Sequence, residues 1–172
     1  LSSAASDVYK RQVHGQAVSF RDGSDVTVSL FADGSAEPKY TVSVPGGTKD
    51  SSGQYTTTYD IPEVAPGTYT MRVSKKNHVT REYTVTVSGD AVTQNAEIWL
   101  LGDVNGDGVR DMTDVVQICR RFNGKTSVFD NGDAETRAYR LKVADIYADN
   151  SIDTTDINQI LRYYNGKSSV LG

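Results

Sequence analysis

From His14 to Leu100 apolar and polar side chains alternate in short runs. Val26, Val28 and Leu30 stand against Thr27 and Ser29; Tyr69, Met71 and Val73 against Thr70 and Arg72; Tyr83, Val85 and Val87 against Thr84 and Thr86. Period-two alternation rich in Val, Thr and Tyr marks half-buried antiparallel strands. Turn residues punctuate the runs at Asp33-Gly34, Pro45-Gly46-Gly47, Ser51-Ser52-Gly53, Pro66-Gly67, Lys76-Asn77 and Ser88-Gly89-Asp90. About seven strands fit between these turns, which predicts an all-β sandwich over residues 13–100. After Leu101 the period lengthens. Val115, Ile118 and Phe122 stand at i, i+3 and i+7, and Ile157, Ile160 and Tyr164 repeat the offsets, giving each of two helices an apolar stripe. Both stretches run into Asn-Gly-Lys, a helix stop with glycine just past the last turn. The chain is therefore expected to hold two domains, the second an all-α unit over residues 101–172.

The second half is internally duplicated. A shift of 42 residues superposes Asp103 on Asp145, Asp107 on Asp149, Asp111 on Asp153, Thr113 on Thr155 and Asp114 on Asp156, and continues through Gln117/Gln159, Arg120/Arg162 and Lys125/Lys167. Eight of the eleven acidic residues after residue 100 fall in the two twelve-residue loops that open the repeats. Carboxylates held that close repel by about 4 kcal/mol per pair at about 4 Å and an effective dielectric near 20, so a cation must balance them. The first loop places Asp103, Asn105, Asp107, Asp111 and Asp114 at positions 1, 3, 5, 9 and 12, with the Val109 carbonyl at 7 and Gly108 at 6. Oxygen ligands at that spacing suit calcium. The second loop offers Asp145, Asp149, Ser151, Asp153 and Asp156, but Tyr147 replaces the short oxygen ligand at position 3 and Asn150 the glycine at 6. Two calcium sites are expected, the second weaker. Arg110 at position 8 of the first loop stands where an apolar residue usually lets paired loops zip together.

Composition removes several classes. Twenty-two acids against 18 bases give a net charge of −4, which leaves no basic excess for nucleic acid or anionic lipid, and no apolar run is long enough to insert in a membrane. Cys119 is the only cysteine, so no internal disulfide forms; His14 and His78 have no second nitrogen or sulfur ligand nearby for zinc. Leu1–Gln12 lacks the apolar stretch and cleavage site of a signal peptide and resembles an assembly artefact or a disordered tail. No nucleophile and base pair is evident, and a glycosidase pair such as Glu63 with Glu82 has no further support, so the chain is not expected to be an enzyme.

Gly102–Asp107 (GDVNGD), the two loops and the duplicated arginine-bearing helices resemble a dockerin, the non-catalytic module that plugs extracellular proteins into a cohesin module of a cellulosome-type scaffold or cell-surface anchor. Aspartate at position 12 and the lack of a helix entering the first loop fit that family better than a calmodulin-like sensor. Residues 14–100, above all Val64–Lys76, are similar to carboxypeptidase-regulatory-like or collagen-adhesin-B-type sandwiches. The resemblance implies an extracellular location, calcium as a structural ion, the sandwich as spacer or stabiliser, and cohesin contacts from Met112, Thr113, Val116, Cys119 and Arg120 and from Thr154, Thr155, Asn158, Leu161 and Arg162. Arg120 and Arg162 point away from the apolar stripes and are free to meet a partner or simply to face solvent; Cys119 and Leu161 are either interfacial or half-buried. Thr113/Thr155 and Arg120/Arg162 keep the two halves equivalent, whereas Met112/Thr154, Val116/Asn158 and Cys119/Leu161 do not, so one docking orientation should dominate. The resemblance also implies a clasp of Trp99 or Leu100 with Val170 or Leu171, with Trp99 otherwise in a sandwich or interdomain core. No Lys-Asn isopeptide crosslink is expected, since the first strand lacks lysine.

An alternative reading keeps the calcium-stabilised C-terminal domain but makes the sandwich a carbohydrate-binding or adhesin module. Tyr55, Tyr59 and Tyr83 would then stack on sugars rather than pair across the sheet.

Overall fold

The alternation written into the sequence becomes two sheets. The structure, a computed structural model, describes residues 11–172; of the tail expected at 1–12, residues 1–10 lie outside the described residues, while the Arg11 and Gln12 carbonyls accept the Val64 and Val92 amides at 2.7 and 2.8 Å. The described residues divide into two units, residues 11–76 with 80–98, and residues 77–79 with 99–172.

In the first unit, β1 (Val13–Phe20), β4 (Thr48–Lys49), β5 (Gln54–Ile61), β8 (Val92–Thr93) and β9 (Ala96–Glu97) form one sheet in the order β4-β5-β1-β8, with β9 also on β1. The other sheet is β3-β2-β6-β7, from β3 (Tyr40–Val44), β2 (Val26–Ala32), β6 (Gly67–Lys75) and β7 (Arg81–Val87). Long pairs are antiparallel, and only the two-residue β8 and β9 run parallel to β1. The inward positions are those the alternation marks: Val26, Val28 and Leu30 meet Tyr69, Met71, Val73, Val85 and Val87 in a core completed by Val13, Ala17, Tyr59, Ile61, Val64 and Ile98. Threonine and serine fill the outward positions, where Thr27 meets Ser43, Ser29 meets Thr41 and Thr68 meets Thr86 through their hydroxyls. Among the described residues, six strands of five or more residues stand where about seven were expected, because the polar stretch after Val87 contributes only the two short parallel segments.

The second unit is helical. Helix α1 (Met112–Phe122) and helix α3 (Thr154–Tyr164) are the two expected from the periodicity. Between them come a 3-10 turn, Val128–Asp130, and a helix with no counterpart in the sequence reading, α2 (Ala134–Ala144). Asp133 caps α2 by accepting the Thr136 amide at 2.7 Å. The helix went unforeseen because its buried face is Tyr139, Arg140, Val143 and Ala144, in which an arginine interrupts the apolar stripe. Val104, Val115, Ile118, Phe129, Ile146, Ile160 and Leu171 are buried with them.

Phe122 and Tyr164 depart from their expected place on the apolar stripes, being 67% and 54% exposed. Each is the last residue of its helix, past the reach of the core that covers Ile118 and Ile160.

Candidate functional site: a duplicated acidic loop and helix

Each repeat begins with an aspartate that folds the loop around its own carboxylate. Asp103 Oδ1 accepts the amides of Gly106 (2.9 Å) and Asp107 (3.2 Å), and Oδ2 that of Gly108 (2.8 Å). Asp145 does the same with Asp149 (3.0 Å) and Asn150 (2.8 Å). Position 5 then accepts from position 7: Val109 N–H to Asp107 Oδ1 at 2.9 Å, Ser151 N–H to Asp149 Oδ1 at 2.8 Å. Both loops need left-handed backbone at positions 4 and 6, supplied by Gly106 (φ 77°) and Gly108 (φ 83°) in one and by Ala148 (φ 54°) and Asn150 (φ 64°) in the other. An alanine there carries strain that glycine avoids.

The loops close onto their helices through a second duplicated set. Asp111 and Asp153 are the N-caps of α1 and α3, each accepting from the threonine two residues on at 2.7 Å, and each completes a capping box with Asp114 or Asp156. Asp114 takes the Val104 amide on Oδ1 (2.8 Å) and the Asp111 amide on Oδ2 (2.9 Å); Asp156 takes Ile146 (2.8 Å) and Asp153 (3.0 Å). At the far ends, Asn123 and Asn165 donate to the Cys119 and Leu161 carbonyls at 2.8 Å, and Lys125 and Lys167 amides return to Arg120 and Arg162.

The repeat also runs further than Lys125/Lys167. Gln117 Oε1 accepts the Val128 amide at 3.0 Å and Gln159 Oε1 the Val170 amide at 3.1 Å, and the next residues, Phe129 and Leu171, are both buried. Continuing the 42-residue shift to Ser127-Val128-Phe129 over Ser169-Val170-Leu171 carries the same signal. A buried arginine closes each turn. Arg140 donates from Nε to the Val104 carbonyl (2.9 Å) and from Nη1 to those of Val128 (2.5 Å) and Asn131 (3.0 Å), with its guanidinium over the Trp99 ring. Arg110 donates from Nη1 to the Leu171 carbonyl (2.9 Å) and lies over the Tyr163 ring at 5.1 Å. Position 8 of the first loop is thus filled by a buried arginine clamp.

Trp99 belongs to this unit: it is 5% exposed, its ring lies 5.4 Å from that of Tyr139, and its amide donates to the Tyr139 hydroxyl at 2.9 Å.

Electrostatics single out the first loop. Asp103 and Asp114 are fully buried. Burial, then the facing Asp114 carboxylate, pushes Asp103 up to about 7. Burial also pushes Asp114 up to about 6, against the amides of Asp111, Asn105 and Val104 that hold it down. Two such acids side by side fit a divalent cation, which would replace the lost hydration and cancel the repulsion. Among the described residues, however, no three His, Cys, Asp or Glu side chains converge as a ready cage; the loop carboxylates are turned to loop amides, and the remaining oxygens of the expected set are Asn105, Ser151 and backbone carbonyls. Tyr147 turns away from the second loop and accepts from Gln159 Nε2 at 2.7 Å.

The residues expected to face a partner are distributed unevenly. Met112, Thr113, Val116, Thr154, Thr155 and Asn158 are exposed, and Cys119 and Leu161 are half-buried. Arg120 and Arg162 are exposed but not free at Nε, which donates to the Thr126 carbonyl at 2.6 Å and the Ser168 carbonyl at 2.5 Å. In the first unit, Tyr59 is a core residue at 3% exposure, bonded to the Gln94 carbonyl and raised in pKa by that burial. Tyr83 accepts the Glu97 amide at 3.1 Å, and the Tyr55 ring lies 5.1 Å from the Lys75 ammonium. Tyr55 and Tyr83 are half-buried. Glu82 pairs with Arg72 at 2.7 Å.

The family model of the dockerin type I domain matches residues 101–165. No curated protein matches the chain. Among solved structures, an N-terminal interface mutant of a type II cohesin–X–dockerin complex from Acetivibrio cellulolyticus is similar over 90% of this chain and 95% of that one, at 22% identity and a TM-score of 0.37. A C-terminal interface mutant of the same kind of complex is similar over 88% and 95%, at 18% identity and a TM-score of 0.33. Residues 101–165, built from two equivalent loop-and-helix halves, match the dockerin type I domain, and a β-rich module precedes them in the chain.

Proposed function

We propose that this chain docks an extracellular protein onto a cohesin module of a scaffold or cell-surface anchor, through the exposed faces of α1 and α3, with calcium as a structural ion. The observation that carries the reading is the dockerin match over residues 101–165 together with the duplicated hydrogen bonds of cap and turn. Asp103, Asn105, Asp107, Asp111, Asp114 and the Val109 carbonyl would hold the first ion; Asp145, Asp149, Ser151, Asp153 and Asp156 would hold a second, more weakly, because Tyr147 supplies no ligand and Ala148 carries strain. The cation's contribution is charge neutralisation, which fixes the loops that cap α1 and α3. Met112, Thr113, Val116, Cys119 and Arg120, and Thr154, Thr155, Asn158, Leu161 and Arg162, then present side chains to the partner.

The first unit serves as spacer or stabiliser. The core position of Tyr59 and the Glu97 and Lys75 contacts of Tyr83 and Tyr55 favour the spacer reading over the carbohydrate-binding alternative. Surface plasmon resonance of the full chain over an immobilised panel of type I and type II cohesin modules tests the docking reading. Calcium-dependent binding that disappears in chelator is the expected result. Failure to bind any cohesin in calcium overturns it.

A further inference from the structure

Among the described residues, the large apolar side chains that remain exposed are Val109, Met112, Val116, Phe122, Tyr147, Tyr164 and Val170, all within residues 99–172. Two of them lie on one face of one helix. Met112 (41% exposed), Val116 (48%) and the half-buried Cys119 stand at i, i+4 and i+7 of α1, on the side away from buried Asp114, Val115 and Ile118. The 42-residue shift that equates every cap and turn of the two halves puts Thr154, Asn158 and Leu161 at the same places on α3. The backbone scaffold is thus duplicated while the chemistry of the two outward faces is not: α1 shows a thioether, an isopropyl and a thiol, and α3 a hydroxyl and an amide before its single leucine. Water meets both faces in the free chain, but only α1 gains appreciably from being covered, since apolar burial is the main favourable term in association.

The charges say what covers it. The last turn of α1 and the residues after it carry Arg120 and Lys125, both exposed, and the Arg120 bond from Nε to Thr126 holds that guanidinium beside the stripe. The complementary surface has an apolar centre with carboxylates beyond one end of it. Arg162 and Lys167 repeat the basic end on α3, so charge alone does not choose between the helices; the apolar stripe does.

We infer that α1 supplies the buried centre of the docking interface and α3 its polar margin, so that the chain engages its partner in one orientation, against an apolar patch bordered by acidic residues. The inference rests on the docking reading above and adds which helix carries it and what the partner must present. Its test is an exchange of faces in the full chain. Met112→Thr with Val116→Asn gives α1 the face of α3, and Thr154→Met with Asn158→Val does the reverse. All four positions are exposed, so circular dichroism and calcium-dependent melting should match the unmodified protein.

The probe is whichever cohesin binds the unmodified chain most tightly. The first pair should weaken it by about 30-fold or more, the size of loss at central apolar positions of an interface, and the second pair, at the margin, should weaken it by at least about fivefold less than the first. Arg120→Glu should slow association and reduce its salt dependence. Equal losses from the two pairs, or a larger loss from the α3 pair, overturn the inference while leaving the docking reading intact. Absence of cohesin binding by the unmodified chain overturns both. A concentration-dependent dimer in sedimentation velocity, abolished by the α1 pair, overturns the inference by assigning the stripe to a second copy of the chain.

Discussion

Lowering the pH from 8 to 5 should weaken calcium binding at the first loop by about a thousandfold, because a cation takes only the ionised carboxylates. The magnitude follows from two buried groups. With Asp103 pushed up to about 7 by burial and by Asp114, protonation at pH 5 competes by about a hundredfold. With Asp114 pushed up to about 6, chiefly by burial, it competes by about a further tenfold. At pH 8 both groups are ionised and the penalty vanishes. Titration calorimetry in two buffers of different ionisation heat counts the protons: about two released per calcium at pH 5, and about 0.1 at pH 8. Stability without calcium should move the other way. Both folded values lie above the ordinary 3.8, so protonation stabilises the calcium-free fold fully below pH 3.8, and that contribution is lost as pH rises through about 6 to 7. Keeping Asp103 ionised at pH 8 costs the calcium-free fold about 4 kcal/mol. The calcium-free helical unit should therefore melt higher at pH 5 than at pH 8, and the calcium-saturated unit lower. A dissociation constant unchanged within threefold from pH 8 to 5, or melting slopes of the same sign with and without calcium, would refute the assignment of Asp103 and Asp114 as a cation-balanced pair.

Three further outcomes can be measured by denaturant unfolding. Gly106→Ala places a Cβ 2.7 Å from Trp99 Cε2 at φ +77°, whereas Gly124→Ala at φ +62° meets only solvent; the second should cost about 1 kcal/mol of backbone strain and the first clearly more, and equal costs would show that the loop does not press on the indole. Removing the N-caps with Asp111→Ala or Asp153→Ala, in excess chelator so that metal binding plays no part, should cost about 1 kcal/mol each, with no loss at either site counting against the caps. Lys75→Ala strips the buried ammonium that donates to Ser19 Oγ at 3.0 Å, to the Phe20 carbonyl at 3.2 Å and to the Asp22 carbonyl; the sandwich should lose about 3 kcal/mol, and a loss under about 1 kcal/mol would mean that water replaces the lysine freely.

What the sequence made legible was periodic or repeated. Alternation located the inward face of β2, β6 and β7, because a pleated strand has only two sides and Val, Met and Leu could occupy just one. The 42-residue repeat located both loops and both capped helices. What escaped was set by tertiary context. Helix α2 buries Arg140, whose charge is tolerated because three carbonyls and an indole face receive it, and no local pattern announces that. Phe122 and Tyr164 satisfy the helical spacing yet stand in solvent, since spacing fixes the direction of a side chain and not how far the core extends. Arg120 and Arg162 are exposed, and their bonds to Thr126 and Ser168 depend on the turns that follow the helices, which helical spacing does not announce.

One of the two arginine clamps crosses between the halves. Arg110, from the first loop, holds the carbonyl of Leu171 in the second half's closing turn, while Tyr163 of α3 lies against the same guanidinium. The two halves are therefore coupled: fraying the segment around Leu171 removes one carbonyl partner from a buried cation in the other repeat. The duplicated unit is built to unfold as one cooperative block. Its slowest-exchanging amides should share a single opening free energy across both repeats, and a protease should find no half-folded species to cut.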